Sequence, residues 1–333
     1  MNIREIARLS GVSVATVSRA MNSPELVRPA TLNRIREVMD EHNYSANPFA
    51  RNLISNRTKS VSMLVNTLNN QFMVEAIEGA EGPLQQAGYM LNIINLSKSL
   101  ETMHSLLDFF KEKRSSLFMD GMIMVGSYLY QEDYRESLRE LLNCPVVAID
   151  QGPLPDIPSV YVNEHTAMGL LADRMEVRQV KTASVISCEL EYAFSQRRLE
   201  LLLAETRARG ITIEDKHIFS VPMELAENGY SACEHILTEG RTDCIVTSND
   251  ALAIGALRCL HDHGIRVPGD ILLVSGENSK FCKMAIPSIS AIQYPNHELG
   301  RIAGETLLSL IGSAEEPTTK VLLEPRLVLR ESF

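Results

Sequence analysis

At 333 residues, 45% hydrophobic and 22% charged, the chain is long enough for two or three cores and has an ordinary globular composition, which excludes a disordered or disulfide-built scaffold. No run approaches the roughly 18 uninterrupted apolar residues of a membrane helix, and Met1-Asn2-Ile3-Arg4-Glu5 opens an amphipathic pattern, not a secretion segment; the expected location is the cytoplasm, with no membrane partner. The net charge of -10 is uneven: residues 1–60 hold nine Arg and Lys against five Asp and Glu, a balance of +4 that leaves -14 on the rest. A basic head on an acidic body confines contact with a polyanion to the head. The six cysteines are scattered and contain no C-x-x-C pair, as expected of reduced core thiols.

Asn2-Ile3-Arg4-Glu5 has the form of a capping box and predicts a helix, with Ile3, Ile6 and Ala7 on one buried face. Gly11 breaks the pattern where a sharp turn needs a residue without a Cβ. Ser13 caps a second helix over 14–21, with Val17 and Met21 facing inward and Val14, Ala15, Ser18 and Arg19 on its outer and leading sides. Such a surface suits the major groove: Arg19 can donate twice to a guanine, Ser18 or Thr16 can hold a phosphate, and Val14 and Ala15 are small enough to approach bases. A third helix runs from Pro29 to about His42, carries Leu32, Ile35, Val38 and Met39 on one face, and stops at Asn43.

Beyond residue 60, short apolar runs alternate with amphipathic stretches. The runs are 61–65, 91–94, 122–125, 146–149, 183–186, 245–246 and 271–274; helical patterns include 74–87, 166–175, 196–209 and 251–263. This rhythm is that of parallel sheets covered by helices on both faces, with enough runs for two sheets.

The stretch Ile6-Ala7-Arg8-Leu9-Ser10-Gly11-Val12-Ser13-Val14-Ala15-Thr16-Val17-Ser18-Arg19 resembles the head-piece signature of the LacI/GalR transcription regulators. The similarity continues through Asn43-Tyr44-Ser45-Ala46-Asn47-Pro48-Phe49-Ala50-Arg51-Asn52-Leu53 and over the body, in Asn249-Asp250-Ala251-Leu252, Val267-Pro268-Gly269-Asp270 and Leu327-Val328-Leu329-Arg330-Glu331-Ser332. It implies an all-α helix-turn-helix domain over 1–45, a hinge helix and linker over 46–60, and a periplasmic-binding-protein-like two-lobed α/β effector domain over 61–333. Lobe 1 would comprise 61–160 and 291–320, and lobe 2 161–290 and 321–333, with crossings near Tyr161, Ala291 and Val321.

By the same resemblance the DNA-binding residues are Val14, Ala15, Thr16, Ser18, Arg19, Asn22, Arg51 and Leu53, the last wedging into the minor groove of operator DNA as apolar side chains that bend DNA do. The effector contacts are Asn70, Phe72, Asp150, Arg198, Asn249 and Glu277. Carboxylates, amides and one arginine at strand ends suit a sugar-like, polyhydroxyl molecule, and Phe72 could stack on it. Asp150 and Asn249 have an alternative reading as turn or cap residues. Several positions depart from the family pattern: Arg28 replaces a serine cap, Glu277-Asn278 a pair of aspartates, and Leu201-Leu202 a glycine-phenylalanine after Arg198.

The implied function is a repressor whose affinity for double-stranded operator DNA is controlled by effector occupancy, working as a two-fold homodimer that pairs the heads; no leucine heptads follow Arg330, so a dimer is expected rather than a tetramer built by a C-terminal coiled coil. A solute-binding protein without a regulatory role is the alternative, though it would need an export signal and no head-piece. No cofactor, metal or catalytic residue is expected: His261-Asp262-His263 splays its rings on a helix, and no phosphate loop or G-x-S-x-G turn appears.

Overall fold

In the computed structural model, residues 2–22, 24–42, 44, 57–65, 68, 71–96, 103–113, 119–125, 132–149, 152–188, 193–222, 225–240, 242–313 and 319–333 are described. They fall into two compact units, 1–59 with 118–120 and 60–117 with 121–333.

The first unit is a trihelical head. Helix α1 (Ile3–Leu9) starts at the predicted capping box: the Asn2 side chain accepts from the N–H groups of Arg4 and Glu5, and the Glu5 carboxylate accepts from Asn2 N at 2.8 Å. Gly11 has a φ of +65°, which a side chain would oppose. Ser13 Oγ then accepts from Thr16 N at 3.1 Å and opens α2 (Val14–Asn22). Helix α3 (Pro29–Glu41) has proline in its first turn but no side-chain cap from Arg28, as its departure from serine predicts. Ile6, Ala7, Val17, Ala20 and Ile35 are buried where the three helices meet, with Ile3, Val12, Met21, Leu32, Val38 and Met39 packed around them. Asn43 lies outside the described residues.

The second unit holds two parallel-dominated α/β lobes of one design. In lobe 1 the elements are β1 (Ser60–Val65), α4 (Gln71–Gln86), β2 (Met90–Asn95), α5 (Met103–Lys113), β3 (Gly121–Val125), α6 (Glu132–Leu142), β4 (Val146–Ile149) and β5 (Ser159–Val162). Lobe 2 continues with α7 (Glu164–Val177), β6 (Ala183–Cys188), α8 (Ala193–Ala208), β7 (Ile218–Val221), α9 (Ala226–Glu239), β8 (Cys244–Thr247), α10 (Asp250–Asp262), β9 (Leu272–Ser275), α11 (Lys280–Met284) and β10 (Ser290–Gln293). Then α12 (Asn296–Gly312) and β11 (Lys320–Leu323) return to lobe 1, and β12 (Arg326–Val328) closes lobe 2. The sheet orders are β11-β5-β4-β3-β1-β2 and β12-β10-β9-β8-β6-β7; every pairing is parallel except β10 with β12. Central strands β3, β4, β6, β8 and β9 are buried along their length, because helices cover both faces.

The lobes repeat a local device as well as a topology. Asp120, just before β3, accepts from Thr58 N at 2.7 Å, Thr58 Oγ1 at 2.9 Å and Lys59 N at 3.1 Å. Asp243, just before β8, accepts from Lys181 N at 2.8 Å, Thr182 N at 3.0 Å and Thr182 Oγ1 at 3.3 Å. In each case one carboxylate accepts from the N–H groups at the entry of the neighbouring parallel strand.

The crossings fall a few residues downstream of the expected positions. Tyr161 lies inside β5, Ala291 inside β10 paired with lobe 2, and Val321 inside β11 paired with Val160 of lobe 1. Strand pairing thus persists to Val162, Gln293 and Leu323, and the chain changes lobe after each of them.

Candidate functional site

Two surfaces carry the residues singled out above. On the head, α2 presents Val14, 41% exposed, together with exposed Ala15 and Arg19, while Val17 and Ala20 turn inward. Thr16 and Ser18 are half-buried, and the Thr16 hydroxyl is 2.9 Å from Ser13 Oγ, so it belongs to the helix cap as well as to the outer face. Asn22 ends the helix. An exposed helix edge with small residues at its leading end and a fork-shaped donor in its last turn is geometrically suited to a major groove. Arg51 and Leu53 lie outside the described residues, as do positions 46–56 of the hinge helix and linker expected over 46–60.

The second surface lies between the lobes. All three crossings leave from the carboxyl end of a strand: β5 into α7, β10 into α12 and β11 into β12. Ligands of open α/β sheets bind beyond those ends. The residues expected to contact an effector follow the same rule: Phe72 comes after β1, Arg198 after β6, Asn249 after β8 and Glu277 after β9. Asn70 and Asp150 lie outside the described residues.

The roles of these side chains differ. Phe72, in the first turn of α4, is partly buried and packs against the lobe core. Asn249 is 4% exposed and caps α10, its Oδ1 accepting from Leu252 N at 3.0 Å; its carbonyl accepts from Thr247 Oγ1 at 2.7 Å. That is the cap arrangement weighed for it as an alternative. Next to it, burial pushes the Asp250 carboxyl up from its ordinary value, against the pull of its own N–H and that of Ala251. Glu277 follows β9 directly, with its N–H donating to Ser275 Oγ at 3.2 Å.

Arg198 is the most highly organised of the group. Its Nε and Nη2 donate to the two oxygens of Glu164 at 3.1 and 2.6 Å, and its guanidinium carbon lies 5.0 Å from the centre of the Tyr294 ring. The Tyr294 hydroxyl donates to the same Glu164 carboxylate at 3.0 Å. Glu164 opens α7 just past the first crossing, and Tyr294 stands at the second. A further bond, Asn163 Nδ2 to Glu324 Oε1 at 3.1 Å, joins the first crossing to the third.

Sequence reasoning missed Glu164 and Tyr294. An acidic residue in a first helical turn already has an explanation as a partner of the helix dipole, which hides its second partner 34 residues away.

Elsewhere, His263 Nδ1 lies 2.9 Å from the Cys259 carbonyl and Asp262 accepts from Arg258, so both belong to their own helix end. Among the described residues no three His, Cys, Asp or Glu side chains converge as metal ligands, and no helix is long and apolar enough to cross a membrane. All six cysteines are free thiols, and burial pushes those of Cys233, Cys244, Cys259 and Cys282 upward in pKa.

Residues 2–47 match the family described as bacterial regulatory proteins, lacI family, and residues 165–333 match the periplasmic binding protein-like domain. The chain is 28% identical over 332 residues to the HTH-type transcriptional repressor PurR of Vibrio vulnificus, covering 99% of this chain and 98% of the relative. Among solved structures, the lac repressor dimer bound to operator and the anti-inducer ONPF superposes with a TM-score of 0.87 at 20% identity, covering 100% of this chain and 98% of that one. The transcriptional regulator CelR in complex with cellobiose superposes with a TM-score of 0.71 at 21% identity, with all of both chains covered.

Proposed function

The chain belongs to the LacI/GalR family of DNA-binding transcriptional repressors, and from that premise we propose that a sugar-like small molecule held between its two lobes sets its affinity for operator DNA. The observation that carries this reading is the placement of Asn249 and Glu277 just beyond the carboxyl ends of two neighbouring parallel strands, with Arg198, on the helix that follows the strand beside them, bonded to Glu164 where the chain crosses between lobes. The cellobiose held by CelR, a neighbour in fold, lends support to a sugar. The matched head-piece removes the alternative of a solute-binding protein without a regulatory role.

The working unit in this reading is a homodimer in the cytoplasm, with paired heads on a near-palindromic operator. Phe281, Met284 and Ile286 support it: they are 52%, 72% and 93% exposed on one short stretch and offer an apolar surface to a partner protomer. No catalytic step is assigned to the chain.

The test is a thermal-shift screen of the full-length protein against neutral sugars, sugar phosphates and nucleobases, followed by operator binding with each hit. A sugar that raises the melting temperature and changes operator affinity is the expected result, with the response lost in Arg198→Ala. Hits confined to nucleobases, or sugars that stabilise the protein and leave operator affinity unchanged, would refute the reading.

A further inference from the structure

The Arg198–Glu164 pair differs from an ordinary surface ion pair. Its side chains are 17% and 14% exposed, and two hydrogen bonds fix the fork of the guanidinium against both carboxylate oxygens. Tyr294 holds the pair twice, through its hydroxyl on Glu164 and through its ring beneath Arg198. Bidentate geometry and partial burial limit solvent screening, so Glu164 sets its charge directly against that of Arg198.

That match bears on what the cleft admits. A carboxylate or phosphate approaching Arg198 meets a guanidinium already forked to a carboxylate, and must displace it or sit beside a like charge. A hydroxyl meets no such obstacle, because it can donate to a lone pair of Glu164 and accept from the arginine without disturbing the net charge. We propose that Glu164 is a specificity-determining residue of the effector site, one that holds Arg198 so that the cleft takes uncharged, hydroxyl-bearing molecules and rejects anions. This rests on the reading of the cleft given above.

The probe is inorganic phosphate, titrated against chloride at constant ionic strength, with the melting temperature of the full-length protein as readout. Wild-type protein should show no phosphate-specific rise. Glu164→Gln keeps the volume and a hydrogen-bonding group for Tyr294 while removing the charge, and should gain a rise of about 2–3 °C per tenfold phosphate above its Kd. Glu164→Ala serves as the second variant, with the same expectation. The gain should vanish in the Glu164→Gln/Arg198→Ala double variant. The proposal is overturned by no gain in either single variant, by a gain that survives in the double variant, or by a phosphate response of wild-type protein that Arg198→Ala abolishes. None of these outcomes involves operator binding, so they are separable from a failure of the effector reading.

Discussion

A β-carbon on Gly255 would lie 1.8 Å from the carbonyl oxygen of Ala226, so α9 and α10 touch backbone to backbone at this point. Lobe 1 makes the same kind of contact between α4 and α12, where a β-carbon on Gly300 would lie 1.9 Å from the Ala76 oxygen. Replacing a helical glycine by alanine normally gains about 1 kcal/mol of helix propensity. Here the obstacle is a carbonyl that cannot swing aside, and overpacking of this kind costs about 1–3 kcal/mol. Gly255→Ala and Gly300→Ala should therefore both lower stability in denaturant melts. Gly169, also helical but with a notional β-carbon that meets only the Glu205 carboxylate at 3.7 Å, an ordinary contact, should do the reverse and gain about 0.5–1 kcal/mol as alanine. Equal responses at Gly169 and Gly255 would show that backbone contact does not decide the sign.

The head offers a gain of stability. Arg28 sits at the N-cap of α3 with extended backbone and no side-chain hydrogen bond to the helix. Serine fits that backbone and supplies the missing acceptor, worth about 1 kcal/mol. Arg28→Ser should slow hydrogen exchange in the first turn of α3 while weakening DNA binding slightly at low salt, since one positive charge leaves the head. Unchanged exchange at Ala30 and Thr31, the two N–H groups a side-chain cap at position 28 can reach, would mean that the first turn is already satisfied.

Asp270 provides a pH dependence. Arg266 donates to it from Nε and Nη2 at 2.9 and 2.8 Å, and its backbone N–H adds a third bond at 2.9 Å, which lowers the carboxyl to about 2. A carboxylate whose folded value lies below its unfolded one contributes stability that is present above the unfolded value, near 3.8, and lost as pH falls through about 2. Asp270→Asn should accordingly flatten the fall in stability over that window and leave the slope near neutral pH alone. A denaturant series across pH 2–5 measures this; identical acid limbs in both proteins would remove the role assigned to the bond.

Legibility in the sequence followed the range of the interactions. Asn2, Ser13 and Gly11 declared the head because caps and left-handed turns are settled by residues two or three positions apart. The dense apolar runs of β3, β4 and β9 declare buried parallel strands for the same local reason. Strands β7 and β10 are no shorter than β4 and β9, but they carry polar members such as Ser220 and Gln293 that periodicity cannot separate from loop. Phe72, Arg198, Asn249 and Glu277 were placed by family resemblance, while the partners that decide their chemistry were not. Glu164 and Tyr294 stand 130 residues apart and meet only because β5 and β10 both end at crossings.

Arg19 bears the strongest prediction about recognition. It is exposed in the last turn of α2, on the edge that carries Val14 and Ala15 rather than the one that buries Val17. If its fork reads a guanine, Arg19→Ala should cost about 1–3 kcal/mol on the preferred operator and relax the preference at one base pair, leaving the others intact. If it holds a phosphate instead, every sequence should weaken alike and the salt dependence should fall by about one counterion. Selection from a randomised operator pool, repeated at two salt concentrations, separates the two outcomes. A uniform loss with a shallower salt slope would move base reading away from Arg19 and onto the small residues at the leading end of the helix.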